Sequence, residues 1–505
     1  MAVRTWIEVE RTYELAPSAA APDLVGVAGV VEVRQLEDEH LDATYYDTAD
    51  LRLARARTTL RRRRGGRDAG WHLKLPVSRD TREEVTLPFG RSATVPAELA
   101  ALVRSRTRAA PLLPVVRLRS QRVVRQLLDG DGRVLAELAD DRVTGEVLGK
   151  PRQTTVWREL EVELVAGDEA LLDALGSQLQ SAGAIVAARP SKLARTLGSR
   201  LPDTVAAPLP RRPTAADAVL RHLREQVTEL TARDPSARRD LPDAVHRMRV
   251  ASRRLRSALQ TYGPLLDPVT TDPLRAELKQ LAAVLGGARD AEVLRDHLTA
   301  EVAGLPPELV LGPVAQRITD ELGRQHREAH TRLVEELNGP RYLALLDALD
   351  QLLTDPPWTG RAQRPAGQEL RRLVRRTVDR LEQAADAADG APIGQQRDDL
   401  LHEVRKTAKQ VRYAAESTIE VLGKPAAAFA GMVERVQEVL GEFQDSIEIG
   451  ERLRELAVHA HLAGENAFTF GLLQGLEQGR AARAQAAYPQ TWKAVSRKRA
   501  RRWLR

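Results

Sequence analysis

Cysteine is absent from all 505 residues, which excludes disulfides, thiolate metal sites and cysteine nucleophiles and fits a reducing compartment. Aromatic residues make up only 4%. Few side chains are therefore available to stack on single-stranded bases, and no standard nucleic-acid module is legible. No run of 18 apolar residues occurs, so a membrane-spanning helix is not expected. The first 25 residues carry Glu8, Glu10, Glu14 and Asp23 and do not read as a secretory leader. These absences predict a cytoplasmic protein with neither membrane nor nucleic acid as partner.

Charge is plentiful and nearly balanced, with 77 Lys and Arg against 70 Asp and Glu. The surplus has one location: Lys493, Arg497, Lys498, Arg499, Arg501, Arg502 and Arg505 close the chain with no acid among them, and everything before Lys493 sums to zero. Anion sites in the body must therefore arise from arrangement rather than from bulk charge.

Residues 1–200 read as an α+β region rich in strands. Trp6–Leu15, Thr58–Arg64, Trp71–Pro76, Val115–Leu128, Arg133–Val143 and Thr155–Val165 alternate in character at period two between Gly, Asp or Pro breaks. Helical stretches stand near Ala97–Arg106 and Asp168–Ala182. About seven or eight such antiparallel strands can close into a barrel. A linker follows at 201–213, with four prolines in thirteen residues. From Thr214 to Arg505 the apolar period becomes helical, and a second Pro/Gly break at 355–367 leaves similar halves at about 214–354 and 368–505.

The halves repeat. His246, Arg249, Arg253 and Arg256 have the same spacing as His402, Arg405, Lys409 and Arg412, and LGGARD (285–290) is matched by LGEFQD (440–445) at nearly the same offset. On a helix, positions i, i+3, i+7 and i+10 fall within about 80° of one another, so each set forms a basic ridge roughly 15 Å long. Like charges at these spacings repel by a few tenths of a kcal/mol per pair. A solvated face would explain one such helix. Recurrence of the pattern favours a polyanion spanning two ridges, with the histidines in hydrogen-bonding or structural roles and Asp290 and Asp445 in salt bridges or caps.

In the first region, Glu8 and Glu10 share a strand face, as do Glu159, Glu161 and Glu163. Arg61 and Arg63 share another, as do Arg117 and Arg119, while Lys74 stands between Leu73 and Leu75. Several carboxylates inside a closed sheet need cations to neutralise them. Hard divalent metals take such oxygen ligands. Carboxylates on some strands and Arg or Lys on others suit a metal-bound polyphosphate, although the outer face of a charged sheet would show the same alternation.

The segments EVERTYEL (from Glu8), YYDTADLRLARARTTLRRR (from Tyr45), GWHLKLPVS, WRELEVEL and PSKLARTL resemble the CYTH domain, a triphosphate tunnel metalloenzyme. HRMRVASRRLRSAL, LGGARDAEVL and HEVRKTAKQVRYAAE resemble the duplicated helical CHAD domain. The resemblance implies an eight-stranded antiparallel tunnel over 1–200 that acts as a triphosphatase with Mg²⁺ or Mn²⁺, followed by an all-α polyphosphate-binding domain over 214–505. It places catalytic and metal-binding roles on Glu8, Glu10, Glu159 and Glu161. Glu163 joins the metal ligands, with Asp140 or Asp141 from the preceding strand, Asp141 being assigned. Triphosphate contacts fall on Arg61, Arg63, Lys74, Arg117, Arg119 and Lys192, and inorganic polyphosphate on the two ridges, which opens the prospect of association with polyphosphate granules. One position departs: the lysine of the family's ExExK strand is Thr12 here. That substitution keeps open a non-catalytic polyphosphate-binding protein with a degenerate tunnel.

Overall fold

In the computed structural model, which describes residues 4–90, 93–189, 191–201 and 208–505, the chain divides into two units, Met1–Ala206 and Ala207–Arg505. Residues 202–207 of the expected linker lie outside the described residues.

The first unit contains β1 (Arg4–Leu15), β2 (Glu32–Gln35), β3 (Glu39–Asp47), α1 (Arg52–Arg55), β4 (Thr59–Arg64), β5 (Gly70–Pro76) and β6 (Thr81–Leu87). Then come α2 (Ala97–Leu102), α3 (Arg104–Thr107), β7 (Leu113–Leu128), β8 (Val134–Val147), β9 (Gln153–Leu164), α4 (Glu169–Ser181), β10 (Ile185–Val186) and α5 (Lys192–Leu197). The strands run β1-β6-β5-β4-β3-β7-β8-β9, and β9 pairs back onto β1 with Glu10 opposite Glu163 and Thr12 opposite Glu161. The result is a closed eight-stranded antiparallel barrel, with β2 and β10 attached outside the ring. Closure leaves no open edge in the ring. Outward side chains of β8 and β9, among them Leu138, Leu160 and Val162, are covered by Leu171, Leu175 and Leu179 of α4. The Asp168 side chain caps that helix by accepting from Leu171 N at 2.9 Å.

One end of the barrel is filled from within. Val116, Leu118, Val143 and Trp157 point inward and pack on Leu193, Ala194 and Leu197 of α5. The helix comes so close to β8 that a Cβ on Gly145 would lie 2.4 Å from Thr196 Oγ1. Because α5 starts at this plug, capped by Ser191, its first residue, Lys192, projects into the remaining space.

The second unit is helical: α6 (Ala215–Arg238), α7 (Ala244–Thr261), α8 (Pro268–Ala303), α9 (Val314–Asn338), α10 (Pro340–Thr354), α11 (Ala366–Asp389), α12 (Gln395–Glu416), α13 (Ile419–Leu422), α14 (Lys424–Leu462) and α15 (Phe468–Ser496). Thr214 and Asp217 start α6 with a reciprocal capping box. One apolar core joins α6, α7, α8, α10 and the start of α11, and a second joins the rest of α11 with α12, α14 and α15. A third binds the far ends of α8 and α14 to α9 and α15. The basic C-terminus is folded down: Trp503 lies 5.7 Å from Phe429, Leu504 is buried, and Arg501 pairs with Glu382 of α11.

A candidate phosphate and metal site in the barrel, and a cationic cluster on the helices

Above the apolar plug the inner faces of the barrel become charged. A cavity of about 280 Å³ is lined by eight carboxylates and seven Arg or Lys side chains, and Asp141 and Glu159 stand beside them. The surroundings thus carry a formal excess of about three negative charges. Two groups of carboxylates stand out. In the first, Lys74 Nζ lies 2.5 Å from Glu8 Oε2 and 3.5 Å from Glu10 Oε2, and Arg82 Nε is 3.1 Å from Glu10 Oε1. Trp6 Nε1 donates to Glu8 Oε1 at 3.0 Å. In the second, Asp141, Glu159 and Glu161 bring ligand oxygens within 4.8 Å of one another, a spacing that can hold a metal ion. Lys192 Nζ sits among them, 3.0 Å from Asp141 and 2.6 Å from Glu159 and also paired with Glu161, while Arg122 bridges Asp141 and Glu161 at 2.6 and 2.8 Å.

Burial and neighbours push these groups apart. Burial raises the Glu8 carboxyl above its usual range, helped by a hydrogen bond with Glu84. Glu163 is pushed up to about 7, first by burial and then by Glu8, with Glu10 and Glu161 adding to it. Burial also raises Glu159. For Asp141 and Glu161 burial acts the same way, but Lys192 and Arg122 outweigh it and hold both below the ordinary range. His72 braces Glu84: its Nε2 is 2.8 Å from the Asp68 carbonyl, which can only accept, and its Nδ1 is 2.7 Å from Glu84 Oε1.

Of the residues expected from sequence, Glu8, Glu10, Glu159, Glu161, Glu163, Arg61, Arg63, Lys74 and Lys192 come together in or beside this cavity. The two aspartates separate by strand parity. Asp141 faces inward, while Asp140 pairs with Arg158 at 2.7 Å on the other face. Arg117 and Arg119 require correction. They stand on the outer face of β7, Arg117 paired with Asp42 and Arg119 exposed, because the inward positions at that level are the apolar Val116 and Leu118 that meet the α5 plug. The guanidinium that β7 sends inward is Arg122. Arg82 and Glu84 also line the cavity and belong to β6, a strand not recognised from sequence because TREEVTL reads as polar surface. A period-two count along TREEVTL, matching Arg82 and Glu84 to the alternation of Glu8 and Glu10, would have found them. Thr12 lines the cavity, and Lys74 and Arg82 supply the cations beside Glu8 and Glu10.

In the helical unit, α7 and α12 bring their cations together rather than holding separate ridges. Arg253 of α7 has Arg249, Arg256 and Arg405 as electrostatic neighbours. Lys409 of α12 is surrounded by Arg253, Arg405 and Arg249, with Asp445 opposing them; burial first and these guanidiniums second push its amine down to about 7. The flanking residues are pseudo-symmetric. Arg249 Nη1 donates to Asp290 at 2.7 Å, and Arg405 Nη2 donates to Asp445 at 3.1 Å. A Cβ on Gly286 or Gly441 would come within 3.2 Å of the Arg249 or Arg405 guanidinium, respectively, so the LG pairs of the two repeats make room for these arginines. Asp290 and Asp445 are thus salt-bridge partners within helices rather than caps. Burial and Arg289 lower the pKa of His246. His402 is half-buried one turn before Arg405. Arg256 has no ion-pair partner among the described residues, whereas Arg412 is held by Glu416 and Glu434 at 3.1 and 2.8 Å.

A barrel with opposed carboxylates and cations inside, followed by a duplicated helical unit with a shared cationic cluster, defines a two-domain class of protein. Family models agree with this division: the CYTH domain matches residues 7–197 and the CHAD domain residues 221–454. Two proteins of Mycobacterium tuberculosis, MT2285 of strain CDC 1551 and Rv2226 of strain H37Rv, both described as uncharacterized, are each 39% identical over 503 residues, covering 95% of this chain and 94% of theirs. The chain belongs to the family of two-domain CYTH and CHAD proteins. Among solved structures, PptA from Streptomyces chartreusis is similar at 20% identity and TM-score 0.47, over 55% of this chain and 99% of its own. The CHAD domain from the plant Ricinus communis is similar at 21% identity and TM-score 0.42, over 59% and 94%. CYTH proteins are metal-dependent and include triphosphatases and cyclases. No helix among the described residues is long and apolar enough to cross a membrane.

Proposed function

We propose that the barrel is a metal-dependent triphosphatase acting on inorganic or organic triphosphate, and that the helical unit binds inorganic polyphosphate. One observation carries the first half: a single enclosed cavity holds cations able to grip phosphate oxygens beside an excess of carboxylates that only further positive charge can neutralise. The donor set is all oxygen, which fits Mg²⁺ or Mn²⁺ and not a soft metal. Glu8, Glu10, Asp141, Glu159 and Glu161, with Glu163, would hold the ion, which would supply Lewis-acid stabilisation of phosphate charge and a more acidic water.

The chain's own residues do the rest. Arg61, Arg63, Lys74, Arg82, Arg122 and Lys192 bind and align the phosphates and stabilise the charge that spreads over the transferred phosphoryl group. The His72 and Glu84 pair fixes the carboxylate beside Glu8. The α5 plug closes one end of the cavity to water. Thr12 removes one cation of the family pattern, and Lys74 and Arg82 still leave Glu8 and Glu10 with two. Phosphate release from tripolyphosphate, ATP and thiamine triphosphate, with and without Mg²⁺ or Mn²⁺, tests this reading. Activity should disappear in the Glu8→Ala, Glu10→Ala double variant, and no release from any of the three substrates would leave only the binding function.

That binding function rests on the cluster of Arg249, Arg253, Arg405 and Lys409. Replacing all four with Glu should abolish salt-sensitive binding of long-chain polyphosphate, and unchanged binding would remove the helical half of the proposal.

A further inference from the structure

The C-terminal cations are used by neither site. A basic tail free in solvent would need no explanation, but this one is held in place. Trp503 packs on Phe429, Leu504 is buried in the second core, and Arg501 grips Glu382 of α11. On that fixed segment and the last turn of α15, Lys493, Arg497, Lys498, Arg499, Arg502 and Arg505 are exposed, and none has an ion-pair partner among the described residues.

The helix beneath continues the pattern. Arg371 and Arg375 of α11 fall within about 20° of Glu382 on the helical wheel, so they lie on the stripe where the tail docks. Both are exposed and unpaired among the described residues. The first repeat provides an internal comparison. In α6, which occupies the position of α11, Arg221 is paired with Glu225 and Glu420, and Arg233 with Glu229. Arg224 of α6 is also exposed without an acid among the described residues, and Arg372 of α11 is paired with Glu369, so what sets the second repeat apart is the six further cations that the docked C-terminus adds. Holding so many like charges close together opposes folding, and a polyanion would relieve that repulsion.

We infer that this face, α11 together with the docked C-terminus, is a second binding surface for long-chain inorganic polyphosphate. The inference rests on the polyphosphate reading of the α7 and α12 cluster. The patch offers charge and little else: its aromatic residues, Trp492 and Trp503, pack against the second core, which leaves no platform for stacking bases. Such a surface suits a flexible chain recognised by charge alone. A chain long enough to reach both sites would bind with avidity, since the second contact is intramolecular.

The test compares short-chain and long-chain polyphosphate on the full-length protein over a salt series. The patch variant carries Arg371→Gln, Arg375→Gln, Arg497→Gln, Lys498→Gln and Arg499→Gln, all at exposed positions, and its thermal midpoint should match that of the parent. Long-chain affinity should fall at least tenfold, with a salt slope smaller by about 0.7 for each phosphate-binding cation removed, while short-chain affinity stays the same. Equal long-chain affinity in patch variant and parent overturns the inference, as does absence of long-chain binding in the parent. Displacement of long-chain polyphosphate from the patch by less duplex or single-stranded DNA than unlabelled polyphosphate would assign the surface to nucleic acid and overturn it too. The separate Arg249→Glu, Arg253→Glu variant isolates the underlying reading: if it keeps short-chain binding, the helical cluster fails as a site and the reading beneath the inference falls with it, whereas loss of short-chain binding there beside unchanged long-chain binding in the patch variant overturns the patch alone.

Discussion

Lys409 gives polyphosphate binding a pH dependence whose sign and size follow from the structure. The groups facing its amine are Arg249 and Arg253 from α7, Arg405 from its own helix and Asp445 from α14; burial and the three guanidiniums bring its pKa from 10.5 to about 7. Guanidiniums stay charged throughout, and His246, with its pKa lowered by burial and Arg289, is neutral above pH 7. Lys409 is therefore the group of this cluster that titrates in the window. A bound polyanion favours the ammonium, so binding above pH 7 takes up a proton, and affinity falls with a slope that approaches about tenfold per pH unit, or roughly sixteenfold between pH 7.0 and 8.5. Stability of the unliganded protein has the opposite sign. The unfolded chain holds this proton up to pH 10.5, so from about 7 to 10.5 it binds more protons than the native state, and rising pH favours folding. Fluorescence anisotropy with labelled polyphosphate from about pH 6.5 to 9.0 measures the effect. The Lys409→Arg variant, with its permanent charge, should bind with nearly constant affinity over that range. A flat wild-type profile, or one that falls equally in both proteins, would refute the assignment.

Other expectations concern the same two sites and their supports. Lys192→Met should cost about 3–5 kcal/mol, because it leaves Asp141, Glu159 and Glu161 buried without their ammonium; millimolar Mg²⁺ or Mn²⁺ should raise the melting temperature of the variant more than that of the parent, and equal shifts would argue against a cation at this triad. Asp290→Asn with Asp445→Asn should strengthen polyphosphate binding up to severalfold, since each exposed ion pair that competes for Arg249 or Arg405 is worth about 0.2–1 kcal/mol; weaker binding in a titration would mean that the aspartates position the arginines instead. Asp234, fully buried, is held by Arg238 at 2.6 Å and Tyr342 at 3.0 Å, so Asp234→Ala should lower stability to urea by about 3–5 kcal/mol while tripolyphosphate hydrolysis by the barrel is retained.

Much of both sites was legible because period two and period 3.6 sort charge onto faces. Glu8 with Glu10, Glu159 with Glu161 and Glu163, and Arg61 with Arg63 needed only that rule. It failed where a second influence decided which face was inside. On β7 both parities carry arginine, and the inner parity was set by the plug helix α5, whose contacts with Val116 and Leu118 are invisible along the strand itself. On β8 the adjacent Asp140 and Asp141 could not be separated until pairing placed Asp141 opposite Glu159 and Asp140 opposite Leu160. Strand β6 escaped notice for a related reason: TREEVTL places Arg82 and Glu84 on the inner face, so the usual alternation of apolar inside and polar outside is reversed. In the helices, the spacing of the basic residues was plain, but the meeting of α7 with α12 was not, and neither was the withdrawal of Arg412 by Glu416 and Glu434.

These failures share a cause that bears on function. A sequence selected only for stability would place apolar residues inside the barrel and acids beside every ridge arginine. Here the rules are broken in two places and kept nearby. The barrel is apolar at its α5 end and charged only above it. Arg221 and Arg233 of α6 have their carboxylates, whereas Arg253 and Lys409 have none within ion-pair distance among the described residues. The penalty falls on the unliganded state, as the raised carboxyls of Glu8, Glu159 and Glu163 and the depressed amine of Lys409 indicate. Charge of the opposite sign relieves it in each case, a cation among the carboxylates and an anion among the arginines. The two units are therefore complementary in what they lack, and the metal and phosphate of the proposed function would supply both.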